Sequence, residues 1–280
     1  MTHLISAAEL AQEIDDVVVL DVRWALTTAN TSAGRDDYEA GHVPGAFFVD
    51  LDTELAAPAG AGGRHPLPDP LVVQAVLRRA GITPRSRVVA YDGKESYAAA
   101  RAWWVLRWLG IDDVRVLDGG YAAWLAAGLP VSTEIPGDRE GDRHGDVEVT
   151  PGQLPTLDAD GAARLARDGL LLDARAAERY VGETEPIDPV AGHVPGAVNS
   201  PTTAWLAEDG SFRRDLAAHW AAVRGDRVGA VGVYCGSGVT AAHHLLALAE
   251  LGVEGALYAG SWSEWIRDPS RPVATGHEPG

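Results

Sequence analysis

The hexapeptide Gly-His-Val-Pro-Gly-Ala occurs twice in this chain of 280 residues, at 41–46 and, letter for letter, at 192–197. Three further landmarks surround each copy in the same order. An apolar run ending in Asp-x-Arg comes before it: VVVLDVR with Asp21 and Arg23, and LLLDAR with Asp173 and Arg175. After it come RVVAYDG, ending near Asp92, and VGVYCGS, containing Cys235. GGYAAW at 119–124 and GSWSEW at 260–265 close the two series. Four landmarks repeated in order, with the hexapeptides 151 residues apart, mean one supersecondary plan built twice. The length agrees, because domains run to roughly 100–200 residues.

Each half reads as strand, turn, strand, helix, strand, helix, strand, helix. In the first half the strands are expected over 17–20, 46–49, 88–91 and 114–117, with helices near 69–80, 96–109 and 120–127. The Val/Leu runs are too apolar on both faces for exposed strands, so the alternation predicts an α/β fold: a mostly parallel sheet flanked by helices, in each of two tandem domains. The stretch STEIPGDREGDRHGD has almost nothing to bury and reads as a linker. The expected division is therefore 1–131, a linker over 132–146, and 147–280.

Composition excludes several classes of function. The chain is 46% hydrophobic and 22% charged, which is globular rather than disordered, and its net charge is −17 with Lys94 as the single lysine. Such a field repels nucleic acid and anionic membranes, so neither is an expected partner. One cysteine, Cys235, excludes an intramolecular disulfide and any cysteine-based zinc or iron–sulfur site. No other His/Asp/Glu cluster has metal spacing and no glycine-rich phosphate loop follows the first strand, so neither metal nor cofactor is expected. The amino terminus, MTHLISAAELAQEIDD, reads as a short amphipathic helix without the features of a targeting peptide. Nowhere do about 18 apolar residues run together. The chain is expected in the cytoplasm, where a free thiol survives.

Duplication supplies an internal control. Residues shared by both halves, such as His42/His193, Asp21/Asp173 and Arg23/Arg175, are explained by folding; residues present at matching places in one half only are candidates for chemistry. His243 and His244 are adjacent on a helix and face about 100° apart, so they read as packing or helix-surface residues rather than as metal ligands.

By this criterion Cys235 stands out. The strand VGVY is followed by Cys235-Gly236-Ser237-Gly238-Val239-Thr240 and then by the helical run AAHHLLALAELG. That order places Cys235 at the carboxyl end of a parallel strand, the edge where open α/β sheets bind ligands. Two glycines let successive backbone N–H groups turn toward one spot, and the helix start adds its positive end. Such a nest favours an anion, here a thiolate.

On these residues the whole chain, apart from the linker, resembles the tandem-domain sulfurtransferases of the rhodanese family. The resemblance implies a catalytic second domain whose cysteine accepts sulfane sulfur from a small-molecule donor as a persulfide, and a first domain without cysteine, where Asp92 stands instead. It implies an acceptor such as a thiol, a thioredoxin-type protein or cyanide. The loop Gly-Ser-Gly-Val-Thr is similar to that of 3-mercaptopyruvate sulfurtransferases, whereas thiosulfate enzymes tend to carry basic residues there. Residues Gly236, Gly238, Val239 and Thr240 would then line the donor site. By the same resemblance Ser237, His65 and Asp52 form a Ser-His-Asp set that assists the donor thiol, and Arg179 binds the donor carboxylate. Asp188 stands where a second arginine is expected, a feature shared with thiosulfate enzymes, so both donors stay open. Relatives often carry another cysteine just beyond the loop, where this chain has Ala242. Cysteine phosphatases of related fold need an arginine six positions after the cysteine, and Ala241 stands there. A non-catalytic sulfur-carrier or protein-binding module is the alternative of a different class.

Overall fold

The computed structural model describes residues 2–25, 33–136 and 145–280. Packing divides the chain into two units. The first comprises Met1–Ala57, Leu67–Gln153 and Glu208–Ser211; the second comprises Pro58–Pro66, Leu154–Ala207 and Phe212–Gly280. Among the described residues, the sheet of the first unit contains β1 (Leu4–Ile5), β2 (Val18–Asp21), β3 (Phe47–Phe48), β4 (Val88–Tyr91) and β5 (Val114–Leu117). The sheet of the second contains β6 (Thr156–Leu157), β7 (Leu170–Asp173), β8 (Val198–Asn199), β9 (Val231–Tyr234) and β10 (Ala256–Tyr258). The strand orders are β1-β5-β4-β2-β3 and β6-β10-β9-β7-β8, with every pair parallel. The α/β expectation therefore holds in both halves, and one topology is used twice.

The sequence explains these elements locally. All four residues of β4, β7 and β9 are buried, which is why those runs are apolar without alternation. The helix Pro70–Arg79 begins where the Asp69 side chain accepts from Leu71 N–H at 2.8 Å with Pro at the first position, and it ends on Arg78 and Arg79. At the amino terminus the expected helix is preceded by a strand. Ser6 and Glu9 form a capping box that starts the helix at Ala7, which frees Leu4 and Ile5 to pair with Val116 and Leu117. A two-residue edge strand is too short to show a period, and β6 repeats the arrangement.

The boundaries differ from those expected. Residues 147–153 pack with the first unit, where Val147 N–H reaches the Ile82 carbonyl and Thr150 N–H the Leu109 carbonyl. Residues 58–66 pack with the second unit. Of the expected linker, residues 137–144 lie outside the described residues.

The repeated residues form one fastening per unit. Asp21, at the end of β2, takes the guanidinium of Arg23 at 2.8 Å, and Arg23 Nη2 also donates to the Gly41 carbonyl at 2.7 Å. Asp173, Arg175 and Gly192 repeat this, with both distances 2.6 Å. The histidine of each hexapeptide turn is buried, its Nδ1 2.8 Å from the carbonyl of Tyr38 or Tyr180, and its ring stacks on that tyrosine. The Tyr91 hydroxyl donates to Asp21 and accepts from Val43 N–H, so strand end, turn and neighbouring strand are tied at one point. His42 and His193 are thus folding residues, as duplication implies.

Because Asp21 and Arg23 are buried, removing one partner strands a charge. Arg23→Ala is expected to destabilise the first unit by about 3–5 kcal/mol, read as a lowered urea midpoint; a loss below about 1 kcal/mol would show that the pair is not the fastening described.

Candidate functional site

The site is assembled in the second unit, at the carboxyl end of β9. Cys235 follows Tyr234 directly and is 2% exposed. The helix Val239–Glu250 starts shortly beyond it, with Gly238 at its amino-terminal cap and in the left-handed region at φ 82°. A Cβ there would lie 2.5 Å from the Ala259 carbonyl oxygen, so the loop requires glycine at this position. Gly238 N–H points at Cys235 Sγ, 3.1 Å away. The cysteine backbone is held on two sides: its N–H donates to Ser261 Oγ at 3.1 Å, and its carbonyl accepts from Trp262 N–H at 3.0 Å.

The first unit shows what such a loop does with a carboxylate. The Asp92 carboxylate lies buried in the corresponding loop and accepts from the N–H groups of Lys94, Ser96, Ala98 and Ala99 at 2.9–3.3 Å. Burial pushes its pKa up to about 6, and the four backbone hydrogen bonds oppose that rise. Four backbone donors at the strand end therefore converge on a carboxylate in one unit, and one, Gly238 N–H, points at a thiol in the other. The first loop is one residue longer, and Ser96, at φ 62°, takes the place of Gly238.

Around Cys235 the remaining residues form two groups. His65 Nδ1 and Ser237 Oγ share a hydrogen bond of 2.8 Å, and both residues are buried. His65 arrives on the segment 58–66, anchored by Arg64 N–H to Ser263 Oγ at 3.0 Å. Asp52 belongs to the first unit, where its Oδ1 accepts from Trp24 Nε1 at 3.0 Å.

The second group is ionic. Arg179, on the helix Ala177–Tyr180, binds Glu185 at 2.6 Å and Asp188 at 3.3 Å. Asp188 also pairs with Arg64, a residue that no motif marks in the sequence. A Cβ on Gly236 would lie 2.8 Å from Arg64 Nη2 and 3.6 Å from Arg179 Nη2, so both guanidiniums stand beside the loop. Glycine after the cysteine removes a side chain from that place but not positive charge, which two arginines distant in sequence supply instead. The signal for Arg64 is its adjacency to His65 together with an acid where a cation is expected. Arg175 stays in its fastening and stacks over Trp262 at 4.5 Å.

His243 and His244 do not lie on the helix surface. Both are fully buried: His243 stacks on Phe212 and His244 hydrogen-bonds Ser200 Oγ at 3.1 Å. Burial drives the His243 pKa down to about 3, so it is neutral at physiological pH. Among the described residues no group of three or more His, Cys, Asp or Glu could hold a metal ion.

A model of the Rhodanese-like domain matches residues 6–127 and again 158–268. The chain belongs to the rhodanese family. A Pseudomonas aeruginosa protein provisionally named a 3-mercaptopyruvate sulfurtransferase is 48% identical over 98% of both chains. A Mycobacterium tuberculosis protein provisionally named a thiosulfate sulfurtransferase is 47% identical over 98% of this chain and 97% of its own. The solved 3-mercaptopyruvate sulfurtransferase of Leishmania major superposes with a TM-score of 0.82 at 28% identity, covering 96% of this chain and 76% of that one.

The repeat singles out Ser261. It aligns with Gly120, and both occupy the left-handed region, at φ 54° and 58°. A serine there carries backbone strain that glycine avoids, and its hydroxyl is the group that accepts from Cys235 N–H. Ser261→Gly is expected to keep stability within about 1 kcal/mol, because relief of strain of about 1–3 kcal/mol offsets two lost hydrogen bonds, from Cys235 N–H and to the Tyr258 carbonyl, of about 0.5–1.5 kcal/mol each. Turnover should nevertheless fall at least fivefold in a steady-state assay; unchanged turnover would mean that the hydroxyl does not position the nucleophile.

Proposed function

We propose that this protein is a sulfurtransferase that moves sulfane sulfur from 3-mercaptopyruvate through a persulfide on Cys235 to an acceptor thiol. One observation carries the reading: a buried thiol receives a backbone N–H at a strand end, with the His65–Ser237 pair and two guanidiniums beside it. A keto acid thiol asks for those three things. Its sulfur needs a nucleophile, its thiol proton a relay, and its carboxylate a cation.

In the proposed reaction Cys235 Sγ attacks the donor sulfur and an S–S bond forms. The donor C–S bond breaks and its electron pair passes to carbon as the enolate of pyruvate. The proton released by the donor thiol travels through Ser237 and His65 and returns to that carbon. Backbone N–H groups over Gly236, Gly238, Val239 and Thr240 favour negative charge on the terminal sulfur. Arg179 and Arg64 hold the donor carboxylate. The role of Asp52 rests on the resemblance alone. With Cys235 as the one cysteine of the chain and Ala242 just beyond the loop, no second thiol of the same chain takes the sulfur. The acceptor is therefore external: a small thiol, a thioredoxin-type protein or cyanide.

Thiosulfate is the second reading, favoured by Asp188 and by the name of the Mycobacterium tuberculosis relative. Measurement of kcat/KM for both donors on one preparation separates the two. A preference of at least tenfold for 3-mercaptopyruvate is expected, and a preference for thiosulfate would replace the donor while leaving the nucleophile in place. Cys235→Ser should abolish transfer from either donor. His65→Ala should lower kcat with 3-mercaptopyruvate by about 10²-fold or more, the ordinary size of a lost acid–base group; full retention would remove the relay from the mechanism. No helix among the described residues is long and apolar enough to cross a membrane, and we place the enzyme in the cytoplasm, where its thiol stays reduced.

A further inference from the structure

The ionic group beside Cys235 is electrically complete without a donor. Arg64 pairs with Asp188, Asp188 with Arg179, Arg179 with Glu185, Glu185 with Arg175, and Arg175 with Asp173. Three guanidiniums thus meet three carboxylates. Among the described residues Asp188 joins the two arginines that face the catalytic loop, and its side chain is 5% exposed. Its backbone N–H donates to Glu185 Oε1 at 3.1 Å, which holds the acid in place. Among the described residues, Arg64 Nε is a buried donor of this group that has no acceptor. A buried guanidinium N–H ordinarily has a partner, so its orphan state marks a place for an incoming oxygen.

We infer that Asp188 is a built-in competitor for the donor's carboxylate, occupying the guanidiniums of Arg64 and Arg179 until an anionic donor displaces it, and that it thereby sets the enzyme's affinity for such donors. The inference rests on the proposed reading of the site as one for an anionic sulfur donor. Two carboxylates compete for the same pair of cations, and while Asp188 is ionised the donor must also approach a like charge. Glu185 is engaged differently: it fastens Arg179 to Arg175. The charged groups facing Asp188 are Arg64 from the segment 58–66, Arg179 from its helix and Glu185 from its own loop. Burial raises the Asp188 pKa above the ordinary aspartate value, and repulsion from Glu185 adds to this, against the pull of both arginines. Glu185 lies below the ordinary value: burial pushes it up, but the hydrogen bond from Arg179 and backbone N–H donors together outweigh that. As pH falls, Asp188 thus loses its charge and releases its hold at a higher pH than an ordinary aspartate would.

The test compares wild type with Asp188→Asn in KM and kcat for 3-mercaptopyruvate between about pH 4, close to the ordinary aspartate pKa, and about pH 8.5. It adds the calorimetric affinity for pyruvate, which carries the donor's carboxylate without its sulfur. At the upper pH, Asp188→Asn should lower KM and the pyruvate Kd at least fivefold. Wild-type values should approach those of the variant as pH falls, whereas the variant should show no such trend. An unchanged or weakened affinity in Asp188→Asn, or a difference constant across pH, would overturn the inference. A variant that fails to fold leaves the wild-type pH trend in pyruvate Kd as the deciding measurement, and its absence overturns the inference equally. Wild type without sulfur transfer would instead refute the reading of the site, while pyruvate binding would still decide the role of Asp188.

Discussion

A parallel strand that ends in a tight loop and a helix start leaves backbone N–H groups pointing at one place, and that place favours negative charge. Both units of this protein are organised around this constraint. In the first, the Asp92 carboxylate fills it with four backbone donors. In the second, the acceptor is Cys235 Sγ, with Gly238 N–H upon it. The same fold feature holds a carboxylate in one half and, in the proposed mechanism, the nucleophile in the other. In the proposed reading, exchanging a carboxylate for a thiol is what separates a structural loop from a chemical one.

Function is layered on this frame by residues that break the symmetry of the repeat. Ser261 replaces a glycine and takes the cysteine backbone. Gly236 clears the space into which Arg64 and Arg179 reach. The fastenings Asp21–Arg23 and Asp173–Arg175 remain alike, because they hold the strand end against the hexapeptide turn in both units. In the proposed reading activity and stability therefore occupy different residues of the same loop cluster, and the duplicated chain displays the division in its own sequence.

Much of this is legible in the sequence alone. The folding constraints sit in contiguous motifs, so the repeat discloses the two units, the buried strands and the structural role of His193. Cys235 is legible because the two glycines and the helix start that follow it specify a tight loop, in which Gly238 N–H points at its sulfur. Strands β1 and β6 are not, since pairing of two residues leaves no pattern. The segment 58–66 belongs to the first half by its place in the sequence, whereas its packing depends on Gly63, where a Cβ would lie 2.7 Å from the Gly260 carbonyl oxygen. Arg64 is hidden for the same reason: its partner, Asp188, is 124 residues away. Asp188 reads in the sequence as the loss of a cation; its contacts show an acid that two cations already serve.

In the proposed mechanism Cys235 carries the sulfur between donor and acceptor. Intact-mass spectrometry after brief treatment with 3-mercaptopyruvate, followed by peptide mapping, tests this most directly. One added sulfur atom per chain is predicted, located on the Cys235 peptide and removed by a small thiol. A protein that turns over donor while its mass stays unchanged throughout, or that carries the sulfur on any other residue, would contradict it.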